Sequence, residues 1–265
     1  MIYVASLFVP ADRPERFAKA AASGADAVII DLEDAVSVGA KAQARLALKR
    51  MESLPEGLDI FVRVNAQDSA WHEDDIDALA GLKIAGIMLP KSESGGEIEK
   101  LHRKTGLPVV AVVETARGHA ACRTIAHAAG VTRLAFGSID YAADLGMAHV
   151  REAMLAARSE IVLASRLAGL PAPIDGVTTA IDDEEMIADD ARYAAALGFG
   201  GKLCIHPRQI AAVRRGFAPA EADVAWAQRV LAAPEGGAVS VDGMMVDAPV
   251  RLRARNILSR GKAVS

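Results

Sequence analysis

Hydrophobic positions along the chain fall into short dense runs separated by longer stretches in which apolar residues recur every three or four positions. The runs are Tyr3–Val9, Ala27–Leu32, Ile60–Val64, Gly86–Leu89, Val109–Val113, Leu134–Phe136, a weaker one at Ala172–Ile174, and Lys202–Ile205. Their short length and β-branched and aliphatic content predict eight strands. The stretches between them include Arg16–Ala22, Ala40–Met51, Glu97–Thr105, Gly118–Ala128, Arg151–Leu167, Glu184–Leu197 and Pro207–Arg214, all Ala-rich or amphipathic and expected to be helical. Asp182, at the capping-box spacing from Glu185, is the expected N-cap of the sixth.

Strands alternating with helices imply a parallel sheet with crossover helices. The segment Val109-Val110-Ala111-Val112-Val113 is apolar on both faces, as when helices cover one side and a barrel core fills the other. An open doubly wound sheet usually shows a Gly-rich dinucleotide loop after its first strand, whereas Val9-Pro10-Ala11-Asp12 stands there. The expectation is an α/β TIM (β/α)8 barrel over residues 1–216. After it the rhythm changes. Pro219–Ala233 predicts a helix, Pro234-Glu235-Gly236-Gly237 a breaker, Ala238–Val246 two short strands around Asp242-Gly243, and Val250–Arg260 a final basic helix. Residues 217–265 are too few for an independent core, and are expected to form a C-terminal extension packing on a neighbouring subunit.

Composition narrows the function. A 52% hydrophobic and 24% charged chain of 265 residues, with 22 Gly and 11 Pro, is an ordinary globular protein. Its formal charge of -4 and lack of a basic tract argue against nucleic acid. No apolar stretch reaches the roughly 18 residues that span a bilayer, and the first residues lack the basic start of a secretory signal, so a cytoplasmic protein is expected. Cys122 and Cys204 match no metal-ligand spacing and read as inert buried thiols.

The chemistry lies at the strand ends. Strand two ends in Asp31-Leu32-Glu33-Asp34, strand three in Arg63-Val64-Asn65, strand four in Pro90-Lys91, strand five in Glu114-Thr115, strand six in Gly137-Ser138-Ile139-Asp140, and strand eight in His206-Pro207. In a barrel these gather at one mouth, where barrel enzymes build their sites. Any one carboxylate there has helix capping as an equal alternative. Glu114 and Asp140, from adjacent strands and without His or Cys beside them, suit octahedral Mg²⁺ that keeps positions open for substrate and water. Arg63 offers a planar fork for a substrate carboxylate, the alternative being a buried salt bridge to Glu33 or Asp34. Trp71 and His72 fall in a loop or helix start after Asn65 and are expected in surface packing rather than bordering a substrate, and Arg251, Arg253, Arg255 and Arg260 on a face that complements an acidic neighbour or approaches ligand phosphates. His119, His127 and His149 show no metal pattern.

In order along the chain, Ser6-Leu7-Phe8-Val9-Pro10, Asp31-Leu32-Glu33-Asp34-Ala35-Val36, Val62-Arg63-Val64-Asn65, Leu89-Pro90-Lys91, Val113-Glu114-Thr115, Phe136-Gly137-Ser138-Ile139-Asp140 and Lys202-Leu203-Cys204-Ile205-His206-Pro207 closely resemble the citrate lyase beta-subunit-like family, which includes malyl-CoA and citramalyl-CoA lyases. The resemblance covers essentially the whole chain. It implies a Mg²⁺-dependent barrel that cleaves or forms the carbon-carbon bond of a β-hydroxyacyl thioester, releasing acetyl-CoA and a 2-keto acid. By motif it implies Glu114 and Asp140 as metal ligands and Arg63 on the keto-acid carboxylate. It places Phe8, Arg13, Lys19, Ile139, Ile205 and His206 around the substrate and CoA thioester, and Glu33 and Asp34 around metal-bound water. Val246-Asp247-Ala248-Pro249 resembles the segment from which a neighbour's lid delivers a catalytic Asp, making residues 217–265 a C-terminal lid extension and Asp247 the general acid/base candidate. Its alternative is a cap on the last helix, just before Pro249. A homotrimer or dimer of trimers is implied. Three rivals stand beside this: malyl-CoA thioesterase or malate synthase-like hydrolysis at the same site, a class II aldolase on free hydroxy-keto acids, and a citrate lyase subunit acting on acyl carrier protein.

Overall fold

The computed structural model describes residues 3–234 and 239–264. Eight parallel strands close into a barrel: β1 (Ala5–Pro10), β2 (Ala27–Asp31), β3 (Asp59–Arg63), β4 (Gly86–Leu89), β5 (Val109–Val113), β6 (Val131–Phe136), β7 (Ile174–Asp175) and β8 (Gly201–Cys204), with β8 pairing back onto β1. The helices are α1 (Phe17–Ala21), α2 (Lys41–Ala47), α3 (His72–Ala78), α4 (Gly95–Thr105), α5 (Ala116–Ala120), α6 (Cys122–His127), α7 (Ser138–Asp144), α8 (Arg151–Leu167), α9 (Glu184–Leu197), α10 (Gln209–Phe217), α11 (Glu221–Ala232) and α12 (Ala248–Val264). A hairpin of β9 (Val239–Val241) and β10 (Met244–Val246) stands between the last two. Among the described residues no helix is long and apolar enough to cross a membrane.

Alternation along each strand divides the core in two. Ala27 and Ile29, Phe61, Met88, Val110 and Val112, Ala135, Ile174 and Leu203 fill the barrel interior. Their neighbours Val28, Ile30, Ile60, Val62, Ile87, Leu89, Val109, Ala111, Val113 and Leu134 pack outward under the helices. Because successive strand side chains point to opposite faces, the inward parity continues from Ala27 and Ile29 to Asp31, from Phe61 to Arg63, from Val110 and Val112 to Glu114, and from Leu203 to Ile205. The last inward position of a strand is thus the first that opens into the mouth.

Several local expectations shift. The N-cap of α9 is Asp183, whose carboxylate accepts the Met186 N–H at 3.0 Å, while Asp182 instead pairs with Arg208. The stretch Gly118–Ala128 divides at Ala121 into α5 and α6, the first starting early because the Thr115 hydroxyl caps it by accepting the Gly118 N–H at 3.0 Å. The helical stretch Ala40–Met51 tightens into a 3-10 turn over Leu48–Ser53. β6 starts at Val131 rather than Leu134, and β7 is only Ile174–Asp175. α3 takes up the helix start at Trp71-His72, while α7 has no counterpart in the sequence pattern. His72 is buried rather than at the surface, with its Nδ1 2.8 Å from the Asn65 carbonyl.

After α10 the chain forms α11, the hairpin and α12, which share a small core of Ala227, Val230, Val246, Ala254 and Ile257. Asp242 takes φ 51° and Gly243 φ 79°, the left-handed pair a tight hairpin turn needs. Glu235, Gly236 and Gly237 of the expected breaker, and Ala238, lie outside the described residues. Two of the tail's arginines are occupied within it. Arg251 donates to the carbonyls of Val230, Ala233 and Pro234, and Arg253 lies 4.9 Å over the Trp226 ring. α12 begins at Ala248, two residues before the expected Val250.

Candidate active site

A cavity of about 380 Å³ opens at the C-terminal end of the barrel. Phe8, Pro10, Ala35, Val112, Phe136, Ile139, Val177, Leu203 and Ile205 give it an apolar wall, and Asp31, Asp34, Arg63, Glu114 and Asp140 a charged one. Small apolar clefts with a few convergent polar groups are where ligands bind.

Asp31 organises the charged wall. Its two carboxylate oxygens accept from Arg63 Nε and Nη2, both at 2.7 Å, and from the N–H groups of Glu33 and Ala35 at 2.9 and 3.1 Å. The side chain therefore fixes both the guanidinium and the turn that carries Glu33 and Asp34. The rear of that turn is held by buried Lys41, whose ammonium donates to the carbonyls of Leu32 and Glu33 and to Asn65 Oδ1 at 2.7 to 2.8 Å. Asn65 is in turn held by Asp75 of α3, itself paired with Arg45 at 3.1 Å.

Arg63 lies 4.7 Å over the Phe8 ring, with its remaining edge, Nη1, 2.9 Å from Glu33 and 3.6 Å from Asp34. Burial would lower its pKa, but Asp31 and Glu33 outweigh that and keep it a cation. The salt-bridge alternative is thus present, and a substrate-binding role would have to use the same guanidinium.

Glu114 is 2% exposed. Burial, reinforced by the negative charges of Glu33 and Asp140, pushes its carboxyl up to about 8. Its Oε1 accepts the Lys91 N–H at 2.7 Å. Its Oε2 lies over Gly137, where a Cβ would come within 2.0 Å of it, so only glycine fits beneath the carboxylate. Asp140 enters from the first turn of α7 and lines the same cavity.

Five carboxylates, Asp31, Glu33, Asp34, Glu114 and Asp140, thus meet three cations, Arg63, Lys91 and, behind the turn, Lys41. That deficit of positive charge, and a buried glutamate raised by like-charged neighbours, fit a hard cation between Glu114 and Asp140. Among the described residues no three His, Cys, Asp or Glu side chains are gathered to hold a metal by themselves. Glu114 and Asp140 would offer a pair of hard oxygen ligands, a set that suits Mg²⁺ completing its shell with water and substrate.

Not all expected residues reach the mouth. Phe8, Ile139 and Ile205 line it. Arg13 and Lys19 are exposed on the turn and helix after β1 and do not line it. His206 is half-buried, its Nδ1 accepting the Arg208 N–H at 3.2 Å. Glu33 stands behind the wall, held between Arg63 and Lys91. Asp247 is the N-cap of α12, accepting the Val250 N–H at 3.0 Å. The adjacent Pro249, with Leu252 and Arg253, faces Ala172, Gly198 and Gly200, which precede β7 and β8. The tail thus sits at the end of its own barrel opposite the mouth.

Three residues with clear roles received none from sequence: Asp31, Lys91 and Gln209. Gln209 Oε1 accepts the N–H groups of Ile205 and His206 at 2.8 and 3.3 Å, and its amide donates to the carbonyls of Thr178 and Ala180. It thereby shapes the last loop of the mouth. Asp31 had a legible signal, the inward parity of β2; Lys91 and Gln209 act from irregular backbone and a helix start, where no period marks them.

The chain as a whole is similar to known proteins. Residues 5–207 match the family model described as HpcH/HpaI aldolase/citrate lyase. A citrate lyase subunit beta-like protein of Mycobacterium tuberculosis is 44% identical over 98% of this chain and 96% of that protein. A (3S)-malyl-CoA thioesterase of Cereibacter sphaeroides is 34% identical over 98% and 94%. Among solved structures, the M. tuberculosis protein CitE in complex with magnesium, acetoacetate and coenzyme A aligns with TM-score 0.88 and 41% identity, covering 98% of each chain.

Proposed function

The chain belongs to the HpcH/HpaI aldolase/citrate lyase family, and from that premise we propose that it is a Mg²⁺-dependent carbon-carbon lyase acting on a β-hydroxyacyl-CoA thioester of the malyl-, citramalyl- or citryl-CoA class. The products are acetyl-CoA and glyoxylate, pyruvate or oxaloacetate, and the reverse condensation uses the same groups. The observation that carries this is the pairing, in one cavity, of a cation-deficient carboxylate cluster with an arginine edge and an apolar wall. A keto acid needs the first two; an acyl thioester needs the third.

Glu114 and Asp140 would hold the metal, which when bound draws electron density toward the carboxylate and adjacent oxygen of the keto-acid fragment. Arg63 presents Nη1 to the same carboxylate and adds a second positive clamp. Phe8, Ile139 and Ile205 flank the thioester carbon and exclude water. In cleavage a base takes the β-hydroxyl proton, the O–H pair becomes the keto carbonyl, and the carbon-carbon pair passes to the thioester as an enolate. That enolate needs a proton at carbon. Asp247 supplies it from the tail of a neighbouring subunit, since its own tail lies at the far end of its own barrel. A homotrimer or a dimer of trimers satisfies this requirement.

Subunit sharing has a direct test. Asp247→Ala and Arg63→Ala variants, each inactive alone, should regain activity when subunits are exchanged; no recovery in exchanged oligomers would place the proton donor elsewhere.

A hydrolytic outcome is the second reading, and the similarity to a malyl-CoA thioesterase favours weighing it. It predicts free CoA and an intact hydroxy acid in place of acetyl-CoA and keto acid.

A further inference from the structure

We propose that Lys91 is a positioning residue that frees Arg63 for the substrate carboxylate by holding Glu33 in its place. The proposal rests on the lyase reading above, which requires Arg63 to receive a keto-acid carboxylate. Arg63 is not open to that task as it stands. Its Nε and Nη2 are both engaged by Asp31, and the remaining Nη1 is 2.9 Å from Glu33 Oε2. An incoming carboxylate therefore competes with Glu33. Glu33 is buried, and released from Arg63 without a partner it would be an uncompensated carboxylate, which is costly.

Lys91 removes that obstacle. Its Nζ is 2.7 Å from the other Glu33 oxygen, Oε1, so Glu33 keeps a cation when Nη1 turns to substrate. The backbone is arranged for this. Lys91 has φ 45°, one of two non-glycine residues with positive φ in the described structure, a conformation a lysine adopts only when its surroundings impose it. That turn directs the Lys91 N–H onto Glu114 Oε1 while its side chain crosses to Glu33. One residue thereby links the metal-ligand carboxylate, through its backbone, with the carboxylate that gates Arg63, through its side chain.

The two links separate experimentally. K91G keeps the N–H and suits the positive φ, so relief of backbone strain should offset part of the lost ion pair and the fold should be retained, while the ammonium is lost. Isothermal titration of the full-length protein in saturating Mg²⁺ with pyruvate, glyoxylate and oxaloacetate in turn should show K91G and K91M binding the preferred keto acid at least about tenfold more weakly, because a charge-assisted partner is lost. Mg²⁺ affinity without keto acid should stay near the wild-type value, and K91R should recover most of the keto-acid binding. In steady state the loss should appear in KM for keto acid rather than in kcat. Wild-type binding by K91G and K91M, an equal loss of Mg²⁺ and keto-acid affinity, or a K91R variant no better than K91M would overturn the role of Lys91 while leaving the lyase reading standing. Failure of the wild-type protein to bind any of the three keto acids overturns both.

Discussion

Two buried charge clusters in this barrel are built from the same residue types and behave in opposite ways. On the outward face of β7 and β8, Asp175 meets Arg158 Nε at 2.9 Å and Lys202 Nζ at 3.0 Å, all three buried. Burial alone would raise its carboxyl, but the two cations hold it below the usual carboxylate range. At the mouth the balance is reversed. Glu114 has like-charged neighbours and one backbone N–H, and its carboxyl is pushed up to about 8. The first cluster is complete in itself and ties α8 to the barrel wall. The second is short of positive charge, and the shortage is where a cation would act.

Disturbing the mouth should give the largest effect. Glu114→Gln or Asp140→Asn should reduce Mg²⁺-dependent keto-acid formation by at least about a thousandfold, because each removes a ligand oxygen charge. Circular dichroism should show the fold retained. In the complete cluster the loss should fall on stability instead. Asp175→Ala leaves two buried cations facing each other and should cost about 3–5 kcal/mol, read from urea unfolding, with Mg²⁺ affinity of the folded fraction preserved. Gly137→Ala probes the seam between packing and chemistry. Its Cβ would displace the Glu114 carboxylate and should weaken Mg²⁺ binding by about 10–100-fold.

The smallest effect is one of pH, with opposite signs at the two sites. Asp175 has a depressed pKa, so its contribution is present above the unfolded-state value and is lost as pH falls through the folded one. Glu114 has a raised pKa, so without metal its ionisation destabilises progressively as pH rises from 4.5 toward about 8. Mg²⁺ binds the ionised form. The Mg²⁺-induced rise in Tm should therefore grow between pH 6 and 8. A rise independent of pH would mean that Glu114 is not the group the metal meets.

Much of this was legible in the sequence because the strand period is two. Ala27, Ile29 and Asp31, or Val110, Val112 and Glu114, form one inward row by alternation alone, and the eight apolar runs predict a closed barrel. Where backbone departs from that period the pattern is silent. Nothing in Pro90-Lys91 announces a lysine at positive φ. The acidic start of α3, Glu73-Asp74-Asp75, masks a helix whose Asp75 is buried against Asn65 and Arg45. Asp182 and Asp183 stand side by side, and only the geometry of α9 decides which of them caps it. Asp247 shows the opposite limit: its cap on α12 is local and visible, while the role suggested by resemblance requires a second subunit.

The central claim is that the mouth holds Mg²⁺ on Glu114 and Asp140 to break a carbon-carbon bond. Purified protein should be incubated with malyl-CoA, citramalyl-CoA and citryl-CoA, with keto acid, acetyl-CoA and free thiol followed together. The account predicts equimolar keto acid and acetyl-CoA from at least one thioester, abolished by chelator and restored by Mg²⁺. Undiminished turnover in chelator, or free CoA with no keto acid from any of the three, would contradict it.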